Sequence, residues 1–268
     1  MKLTVSIAQM AVVNSRPEEN LKKAEAWISE AKRRASDVIC FPEMWTTGFN
    51  WEYNKSMARE HEKVIVRVSE MAKRYKIWIN GSMLALTESG GIANTSILFD
   101  SKGAKVGVYR KTHLFSFVHE DEHMEAGRSI CVVDTPWGLV GLSVCYDIRF
   151  PELFRTYALK GVKIVFSPMA FPHPKIHHWK ALVRARAIEN QMFIVGTNQV
   201  GSEDLGPDGT LTYFGDSVII DPWGEAIVEA SETREELLTA AIDVGRVEEI
   251  RAKMKVLQDR RPDIYELG

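Results

Sequence analysis

The sequence predicts a layered α/β fold built as one domain. Short runs rich in β-branched and aromatic residues alternate with amphipathic helical patterns along the chain, and this alternation is typical of sheets covered by helices. A chain of 268 residues with 45% hydrophobic residues is long enough to bury one large core. The sequence has neither an internal repeat nor a linker-like segment. We therefore expect a single domain over residues 1–268.

In the first half of the chain, apolar periodicity predicts three strands and two helices, followed by a hairpin. The strands cover residues 3–9, 38–41 and 77–84, and the helices cover residues 17–34 and 62–75. The hairpin covers residues 95–109, because two alternating segments flank the turn Ser101-Lys102-Gly103. The sheet is therefore expected to grow by antiparallel pairing.

The second half repeats this mixture of strands and helices. We expect strands at residues 129–133, 139–144, 164–167, 193–198, 217–220 and 226–229, and helices at residues 151–160 and 179–190. The long polar stretches 115–128 and 201–213 are expected to be loops. Since long loops in compact domains often carry function, both are candidate walls of a pocket.

The charge of the chain favours a small-molecule partner. Lys and Arg total 34 and Asp and Glu total 36, which gives a formal net charge of -2. Such a balanced composition lacks the excess of positive charge that binding to nucleic acid or an anionic membrane requires.

Three cysteines are too few for a disulfide framework. Neither a secretion signal nor an apolar run of about 18 residues is present. We expect a cytoplasmic protein without membrane contact.

Three side chains with catalytic chemistry follow directly after β-rich runs. They are Glu43, Lys111 and Cys145. Because ligands in α/β proteins gather where strand ends open into a crevice, these three could converge. Taken singly, each has a plain structural interpretation, since such cysteines are commonly small buried hydrophobes and lone Glu or Lys side chains are commonly solvated. Cys40 and Cys131, inside apolar runs, keep that structural interpretation.

The neighbouring residues strengthen the catalytic interpretation. Cys145 lies in Gly141-Leu-Ser-Val-Cys-Tyr-Asp-Ile-Arg-Phe-Pro-Glu152, where a strand stops at the thiol and Pro151 can begin a helix. This stretch, together with Phe41-Pro-Glu-Met44 and Tyr109-Arg-Lys-Thr-His-Leu-Phe115, resembles the three catalytic motifs of the nitrilase superfamily of carbon-nitrogen hydrolases. The resemblance covers nearly the whole chain.

The resemblance implies a four-layer α-β-β-α sandwich. It also implies a homodimer or a higher homo-oligomer, in which the sheets continue across subunits. The tail 247–268 would cross to the partner, with Tyr265 and Leu267 as apolar anchors. A further residue of the family is a second glutamate at a fixed distance before a glycine. Glu120 has that spacing, whereas Glu122 would need a two-residue deletion.

By the same resemblance, Cys145 is the nucleophile of an amide hydrolase. An unperturbed thiol, with a pKa of about 8.5, is mostly protonated at neutral pH, so a base and a cation must activate it. Glu43 is expected to carry the proton in both half-reactions, and Lys111 with the backbone N–H of Tyr146 to hold the oxyanion. Glu120 would orient the substrate and Lys111. This chemistry needs neither a metal ion nor an organic cofactor.

The rival interpretation of the reactive side chains is a zinc site. It would use His173, His177 and His178 with a cysteine. However, adjacent histidines point to different faces of a helix, and Pro174 interrupts the pair His173 and His177. Since a structural zinc site needs four close ligands, packing or surface roles are expected for these histidines.

The motifs are most similar to those of the ω-amidase branch, whose enzymes deamidate 2-oxoglutaramate and related monoamides of dicarboxylic acids. The free carboxylate of such a substrate needs a cation, and Arg149 is the nearest candidate by sequence. A structural salt bridge of Arg149 with Glu152 or Asp147 is the alternative. Candidate lining residues of the pocket are Phe49, Met169, Trp45 and Phe171.

Other activities and a non-enzymatic role stay open at this point. Nitriles, aliphatic amides and N-carbamoyl compounds could all react with the same groups. A non-catalytic scaffold protein of the same fold is the hypothesis from a different class, since a fold alone does not establish a function. Such a protein would be expected to lack at least one of the three motif residues, and all three are present.

Overall fold

The computed structural model describes residues 1–206 and 209–264 and consists of strands and helices in alternation. The strands are β1 (Lys2–Gln9), β2 (Val38–Cys40), β3 (Trp78–Leu86), β4 (Ile92–Phe99), β5 (Lys105–Arg110), β6 (Val132–Thr135), β7 (Gly138–Leu142), β8 (Ile164–Pro168), β9 (Phe193–Thr197), β10 (Val200–Asp204), β11 (Thr210–Phe214), β12 (Val218–Ile220), β13 (Ala226–Glu229) and β14 (Glu236–Asp243). The helices are α1 (Pro17–Arg33), α2 (Trp51–Tyr75), α3 (Glu120–His123), α4 (Pro151–Leu159), α5 (Ile176–Asn190) and α6 (Arg246–Lys253).

Two six-stranded sheets form the centre of the molecule. The first has the order β14-β1-β2-β3-β4-β5, and the second has the order β13-β12-β9-β8-β7-β6. Strands β1, β2 and β3 run parallel, as do β7, β8 and β9. The remaining pairs are antiparallel, and β10 and β11 form a separate hairpin. Each sheet therefore combines a parallel centre with antiparallel edges.

The alternation of side chains along the strands explains the layers. On β1, Val5 and Ile7 pack with residues of the second sheet, whereas Ala8 packs with α1 and α2. On β2, Val38 faces the second sheet and Ile39 faces the same helices. Because successive side chains of a strand point to opposite faces, both faces of a sheet need a cover. Helices α4 and α5 cover the second sheet, and the predicted four-layer α-β-β-α sandwich is confirmed.

The starts of α1 and α2 follow ordinary capping rules, and the start of α2 is the largest difference from the predicted helix boundaries. Pro17 occupies the first turn of α1, followed by the acidic Glu18 and Glu19, an arrangement that complements the helix dipole. Helix α2 begins at Trp51 rather than at residue 62. Its signal is Asn50, whose side chain accepts the backbone N–H of Tyr53; such a cap satisfies an otherwise unpaired donor.

The two stretches predicted to be loops contain regular structure, so that prediction is wrong in detail. Residues 201–213 lie mostly in the β10–β11 hairpin, where the hydroxyls of Ser202 and Thr212 are hydrogen-bonded across the strands at 2.9 Å. Residues 115–128 contain a short 3-10 helix, Ser116–Val118, and the single turn α3. Neither segment has enough apolar periodicity to signal these elements.

The carboxyl-terminal segment is described up to residue 264. It begins with α6, as the helical pattern predicts. The expected anchors Tyr265 and Leu267 lie outside the described residues. Among the helices of the described part, none is long and apolar enough to cross a membrane.

Candidate active site

Three strand ends meet at one edge of the paired sheets and carry the side chains with catalytic chemistry. Glu43 follows β2, Lys111 follows β5, and Cys145 begins a 3-10 helix, Cys145–Arg149, after β7. Strand β5 runs in the direction of β3 because two antiparallel pairings separate them. The backbone N–H of Glu43 donates to the carbonyl of Met169, just after β8, at 3.1 Å. This bond ties the edges of the two sheets together.

The backbone turns sharply at Cys145. Its φ of 39° lies in the left-handed region, which is costly for a residue other than glycine and persists where surrounding contacts fix it. The carboxylate of Asp147 provides such contacts, since it accepts the backbone N–H of Val144 at 2.8 Å and the hydroxyl of Tyr109 at 2.8 Å. The turn that carries the thiol is therefore held against the end of β5, next to Lys111.

Lys111 is the centre of a buried cluster of charges. Its Nζ donates to Oε1 of Glu43 at 2.8 Å and to Oε2 of Glu120 at 2.6 Å. All three side chains are almost completely buried. The backbone N–H of Phe115 donates to Oε2 of Glu120 at 2.8 Å, so Glu120 is held by its own loop. The structure thus brings Glu120 to the cluster, whereas Glu122 is exposed.

Asn94 is a site residue that the sequence analysis missed. It lies on β4, and its Nδ2 donates to Oε1 of Glu43 at 2.8 Å and to Oε1 of Glu120 at 3.0 Å. One amide therefore holds both carboxylates in place around Lys111. The polar run Asn94-Thr95-Ser96 inside an otherwise apolar strand is the signal that could have found it, because polar groups inside a core need partners.

Burial and charge act in opposite directions on the pKa values of the site. Burial raises the pKa of Glu43, and Lys111 lowers it again only in part. Burial acts to lower the pKa of Lys111, but Glu120 and Glu43 outweigh it, so that this pKa is raised and the ammonium stays charged. Burial and the Glu43 carboxylate raise the pKa of the Cys145 thiol well above its ordinary value. In the free protein the sulfur therefore carries its proton, next to a carboxyl group that can accept it.

A pocket of about 470 Å³, counting the space open to solvent, is bordered by this cluster and by the thiol. Its walls are mainly apolar and come from several segments, including the two stretches that the sequence predicted as pocket walls. The aromatic side chains that line it are Phe49, Phe115, Tyr146, Phe171 and Tyr213. A small organic substrate would lose most of its hydration here, which strengthens the electrostatic interactions inside the pocket.

Besides Lys111, two cationic side chains line the same pocket. The guanidinium of Arg149 lies 5.9 Å from the ring centre of Tyr146 and 5.2 Å from that of Phe171. Its Nη2 is 3.3 Å from Nδ1 of His178. The ammonium of Lys175 lies over aromatic rings in the same way. Burial and Arg149 lower the pKa of Lys175. In the described parts of the chain, no carboxylate forms an ion pair with either cation.

The salt bridge that the sequence left open for Arg149 is not formed within residues 1–206 and 209–264. Asp147 is fully buried, and its carboxylate accepts hydrogen bonds from Tyr109, Thr112 and the backbone of Val144. Glu152 lies exposed at the start of α4. Within these residues the guanidinium of Arg149 therefore has no carboxylate partner.

The remaining candidates for the pocket wall separate into two groups. Phe49, Tyr146 and Phe171 border the pocket, whereas Met169 and Trp45 are not among its lining residues. Met169 is buried in the core between the sheets and contributes its backbone carbonyl. Trp45 stacks on Phe41 in the core beneath the helices. A residue near the motif in sequence can point into either core, since strand neighbours alternate in direction.

The chain carries no sign of a metal centre in its described residues. No three His, Cys, Asp or Glu side chains of residues 1–206 and 209–264 are arranged to hold a metal ion. His178 lies beside Arg149 instead. The charged groups around the pocket are thus held by one another and by backbone groups.

The sequence model of the family described as "Carbon-nitrogen hydrolase" matches residues 4–252. The chain belongs to this family. The 2-oxoglutaramate amidase of Bacillus subtilis (strain 168) is 35% identical to it over 99% of this chain and 100% of the relative. The Omega-amidase NIT2 of Bos taurus is 31% identical over 95% of this chain and 94% of the relative. These similarities confirm the resemblance found in the sequence.

The solved structures agree with the family assignment. The carbon-nitrogen hydrolase from Helicobacter pylori G27 superposes with a TM-score of 0.93 at 25% sequence identity, and the match covers 99% of this chain and 97% of that chain. The C. elegans NitFhit protein superposes with a TM-score of 0.90 at 31% identity, covering 99% of this chain and 66% of that chain. The same sandwich fold therefore occurs in relatives whose sequences are only 25% and 31% identical to this chain.

In this carbon-nitrogen hydrolase, Lys111→Met should make stability depend on pH in a new way. The substitution leaves the buried Glu43 and Glu120 without their cation, and we expect the free energy of unfolding to fall by about 3–5 kcal/mol at pH 8. Without Lys111 the pKa of Glu43 rises further, so the folded protein takes up a proton on acidification. The loss of stability should therefore shrink between pH 8 and pH 5.

Urea denaturation at several pH values measures this difference against the wild type. Lys22→Met, on the exposed face of α1, is the matched control and should change stability by less than about 0.5 kcal/mol at every pH. An equal loss of stability for Lys111→Met at pH 5 and pH 8 would contradict the charge cluster.

Proposed function

We propose that this carbon-nitrogen hydrolase is an ω-amidase, which hydrolyses the amide of a dicarboxylate monoamide such as 2-oxoglutaramate through a thioester on Cys145 and releases ammonia. The observation that carries the proposal is a single pocket bordered by a thiol, a base, a buried ammonium and an unpaired guanidinium. These groups belong to Cys145, Glu43, Lys111 and Arg149. No metal or organic cofactor is needed for the reaction.

Acylation uses the base and the cation together. Glu43 accepts the proton of the Cys145 thiol, and the thiolate attacks the amide carbon. Lys111, held at 2.8 Å from Glu43, and the backbone N–H of Tyr146 stabilise the oxyanion of the tetrahedral intermediate. One such donor is worth about 3 kcal/mol in the transition state. The carbon–nitrogen bond then breaks, and the proton on Glu43 goes to the departing nitrogen, which leaves as ammonia.

Hydrolysis of the thioester repeats the proton transfers with water. Glu43 takes a proton from a water molecule, and the resulting hydroxide attacks the thioester carbon. Collapse of the second tetrahedral intermediate breaks the carbon–sulfur bond, and the proton returns to the sulfur of Cys145. One carboxylate thus serves both half-reactions, and Glu120 keeps Lys111 oriented through its 2.6 Å hydrogen bond.

The preference for an acidic amide is assigned to Arg149. Arg149 is half-buried, and a half-buried cation without a carboxylate partner favours an anionic ligand. An arginine can bind a carboxylate through two parallel hydrogen bonds. The two relatives called 2-oxoglutaramate amidase and Omega-amidase NIT2 support the same substrate class. Phe49 and Tyr146 would enclose the carbon chain between the two ends of the substrate.

Cys145→Ala should abolish catalysis while the fold persists. Removing a nucleophile of this kind lowers kcat by about 10⁴-fold or more, which an assay for released ammonia measures. Intact-mass spectrometry of the wild type mixed with glutaramic acid should detect the acyl adduct, and the variant should not form it. Cys131→Ala, away from the pocket, is the control and should keep both. Activity in Cys145→Ala would exclude this nucleophile.

Arg149→Met should remove the preference for acidic amides. Loss of a charge-assisted pair costs about 1.5–3 kcal/mol, so kcat/KM for glutaramic acid should fall roughly tenfold to hundredfold. The activity towards butyramide, which has no carboxylate, should stay nearly constant and serves as the internal control. Equal losses for both amides would contradict a role of Arg149 in carboxylate binding. Faster turnover of a nitrile than of its amide would favour a nitrilase instead.

We also propose that the enzyme works as a cytoplasmic homodimer, with the tail 247–268 crossing to the partner. Supporting this, Ile188, Trp223 and Met254 are apolar and about half exposed. They lie near one another, because Ile188 packs over Gly224 and the carbonyl of Met254 accepts from Gln191. Contiguous exposed apolar patches are typical of protein interfaces.

Ile188→Asp should shift the protein from dimer to monomer in sedimentation velocity. A charge buried in an apolar interface loses its hydration without gaining a partner. Val66→Asp, at an exposed position on α2, introduces the same charge on the opposite layer and should leave the mass unchanged. A monomeric wild type at micromolar concentration would rule out the dimer.

A further inference from the structure

A buried carboxylate behind the pocket wall takes no part in the chemistry proposed above. Glu203 lies on β10 and is 4% exposed. Its Oε1 accepts the backbone N–H of Phe49 at 2.5 Å, and its Oε2 accepts the hydroxyl of Tyr213 at 2.9 Å. Both oxygens are thus occupied by donors, and both donors belong to residues that line the pocket.

The approach of Glu203 to the backbone requires a glycine. Gly48 has a φ of 69°, and a Cβ there would lie 2.5 Å from Oε1 of Glu203 and 2.9 Å from Oδ1 of Asn14. Any other residue would push the carboxylate away from Phe49. The segment before α2 is therefore shaped to receive this side chain, which is a second sign, independent of the hydrogen bonds, that the contact is built in.

Within the described residues, no Lys or Arg forms an ion pair with Glu203. The titratable groups that face it are Tyr213 from β11 and Glu43 from the loop after β2. Burial, with a smaller contribution from Glu43, raises the pKa of Glu203 to about 7. Hydrogen bonds from Phe49 and Tyr213 act in the opposite direction. A buried carboxylate of this kind changes its charge in the physiological range.

We propose that Glu203 is a positioning residue of the substrate pocket. When it is ionised, its hydrogen bonds hold Phe49 and Tyr213 in place, and when it is protonated, these hydrogen bonds become weaker. This inference rests on the proposed hydrolysis of amides in that pocket. Glu203 touches neither the thiol nor the charge cluster, so its effect should appear in substrate binding. The two walls that it joins come from distant parts of the chain, the segment after β2 and the β10–β11 hairpin.

The sign of the pH dependence follows from the hydrogen bonds. Above pH 7 the ionised carboxylate accepts two bonds with full charge assistance. Below pH 7 the neutral carboxyl group accepts both bonds more weakly, and a proton on Oε2 makes the Tyr213 hydroxyl change from donor to acceptor. KM for the substrate should therefore rise as the pH falls through about 7.

Glu203→Gln separates this role from a general structural one, because glutamine has nearly the same shape as the protonated acid. The measurement is the ratio of variant to wild-type KM for glutaramic acid and for butyramide between pH 6 and pH 8.5, with kcat recorded separately. At pH 8 the ratio should be about tenfold, and at pH 6 it should approach one. The value of kcat should change by less than about twofold.

The two substrates distinguish positioning from simple charge repulsion. If Glu203 acted only by repelling an anionic substrate, its neutralisation would lower KM for glutaramic acid and leave butyramide unaffected. Positioning of the wall raises KM for both. A KM ratio that stays at one across the whole pH range, or a fall in KM for glutaramic acid alone, overturns the inference.

Two further variants keep the test interpretable. Asp204→Asn removes an exposed charge from the neighbouring position of the same hairpin and should leave KM and its pH dependence unchanged. Tyr213→Phe removes one of the two donors that lower the pKa of Glu203, so the rise in KM should move to higher pH even if Glu203→Gln fails to fold. A wild type that releases ammonia from neither amide contradicts the proposed function. An active wild type with a flat KM ratio contradicts only the role of Glu203.

Discussion

The site depends on one buried ammonium shared by two carboxylates. Lys111 is held between Glu43 and Glu120 at 2.8 and 2.6 Å, and a buried carboxylate without a partner charge would destabilise the fold. The same ammonium holds Glu43 in place at the border of the pocket that the Cys145 thiol also lines. Asn94 adds a bridge between the two carboxylates. The arrangement is rigid because every member of the cluster is fixed by at least one other member.

The fold supplies the rest of that constraint. Glu43 and Lys111 come from the first sheet and Cys145 comes from the second, so the geometry of the site is the geometry of the contact between the sheets. The bond from the backbone of Glu43 to Met169 and the bond from Tyr109 to Asp147 cross that contact. A close-packed core transmits small displacements, and a change in how the sheets pack would therefore move the Cys145 thiol relative to Glu43 and Lys111.

Much of this could be predicted from the sequence, and the limits have physical reasons. Strand ends in an α/β pattern identify where Glu43, Lys111 and Cys145 should meet, and the motifs around them indicate the family, which the comparisons confirm. Asn94 and Glu203 were not predicted because each depends on a partner more than 25 residues away in the chain, Glu43 for Asn94 and Phe49 for Glu203. A polar residue in a strand carries no local mark of which buried group it will meet. The β10–β11 hairpin was not predicted from the sequence for a related reason, since its strands are polar on their exposed sides.

The pairing of β1 with β14 delays completion of the first sheet during synthesis. Residues 2–9 pair with residues 236–243, and the first sheet is complete only with this pairing. A ribosome has thus translated Cys145 long before the scaffold behind Glu43 is finished. Throughout that interval Cys145 lacks the buried surroundings that raise the pKa of its thiol in the folded protein, and it behaves as an ordinary cysteine. A chain truncated before residue 236 would lack the edge strand beside β1, so the surroundings of Glu43 depend on residues at both ends of the first sheet.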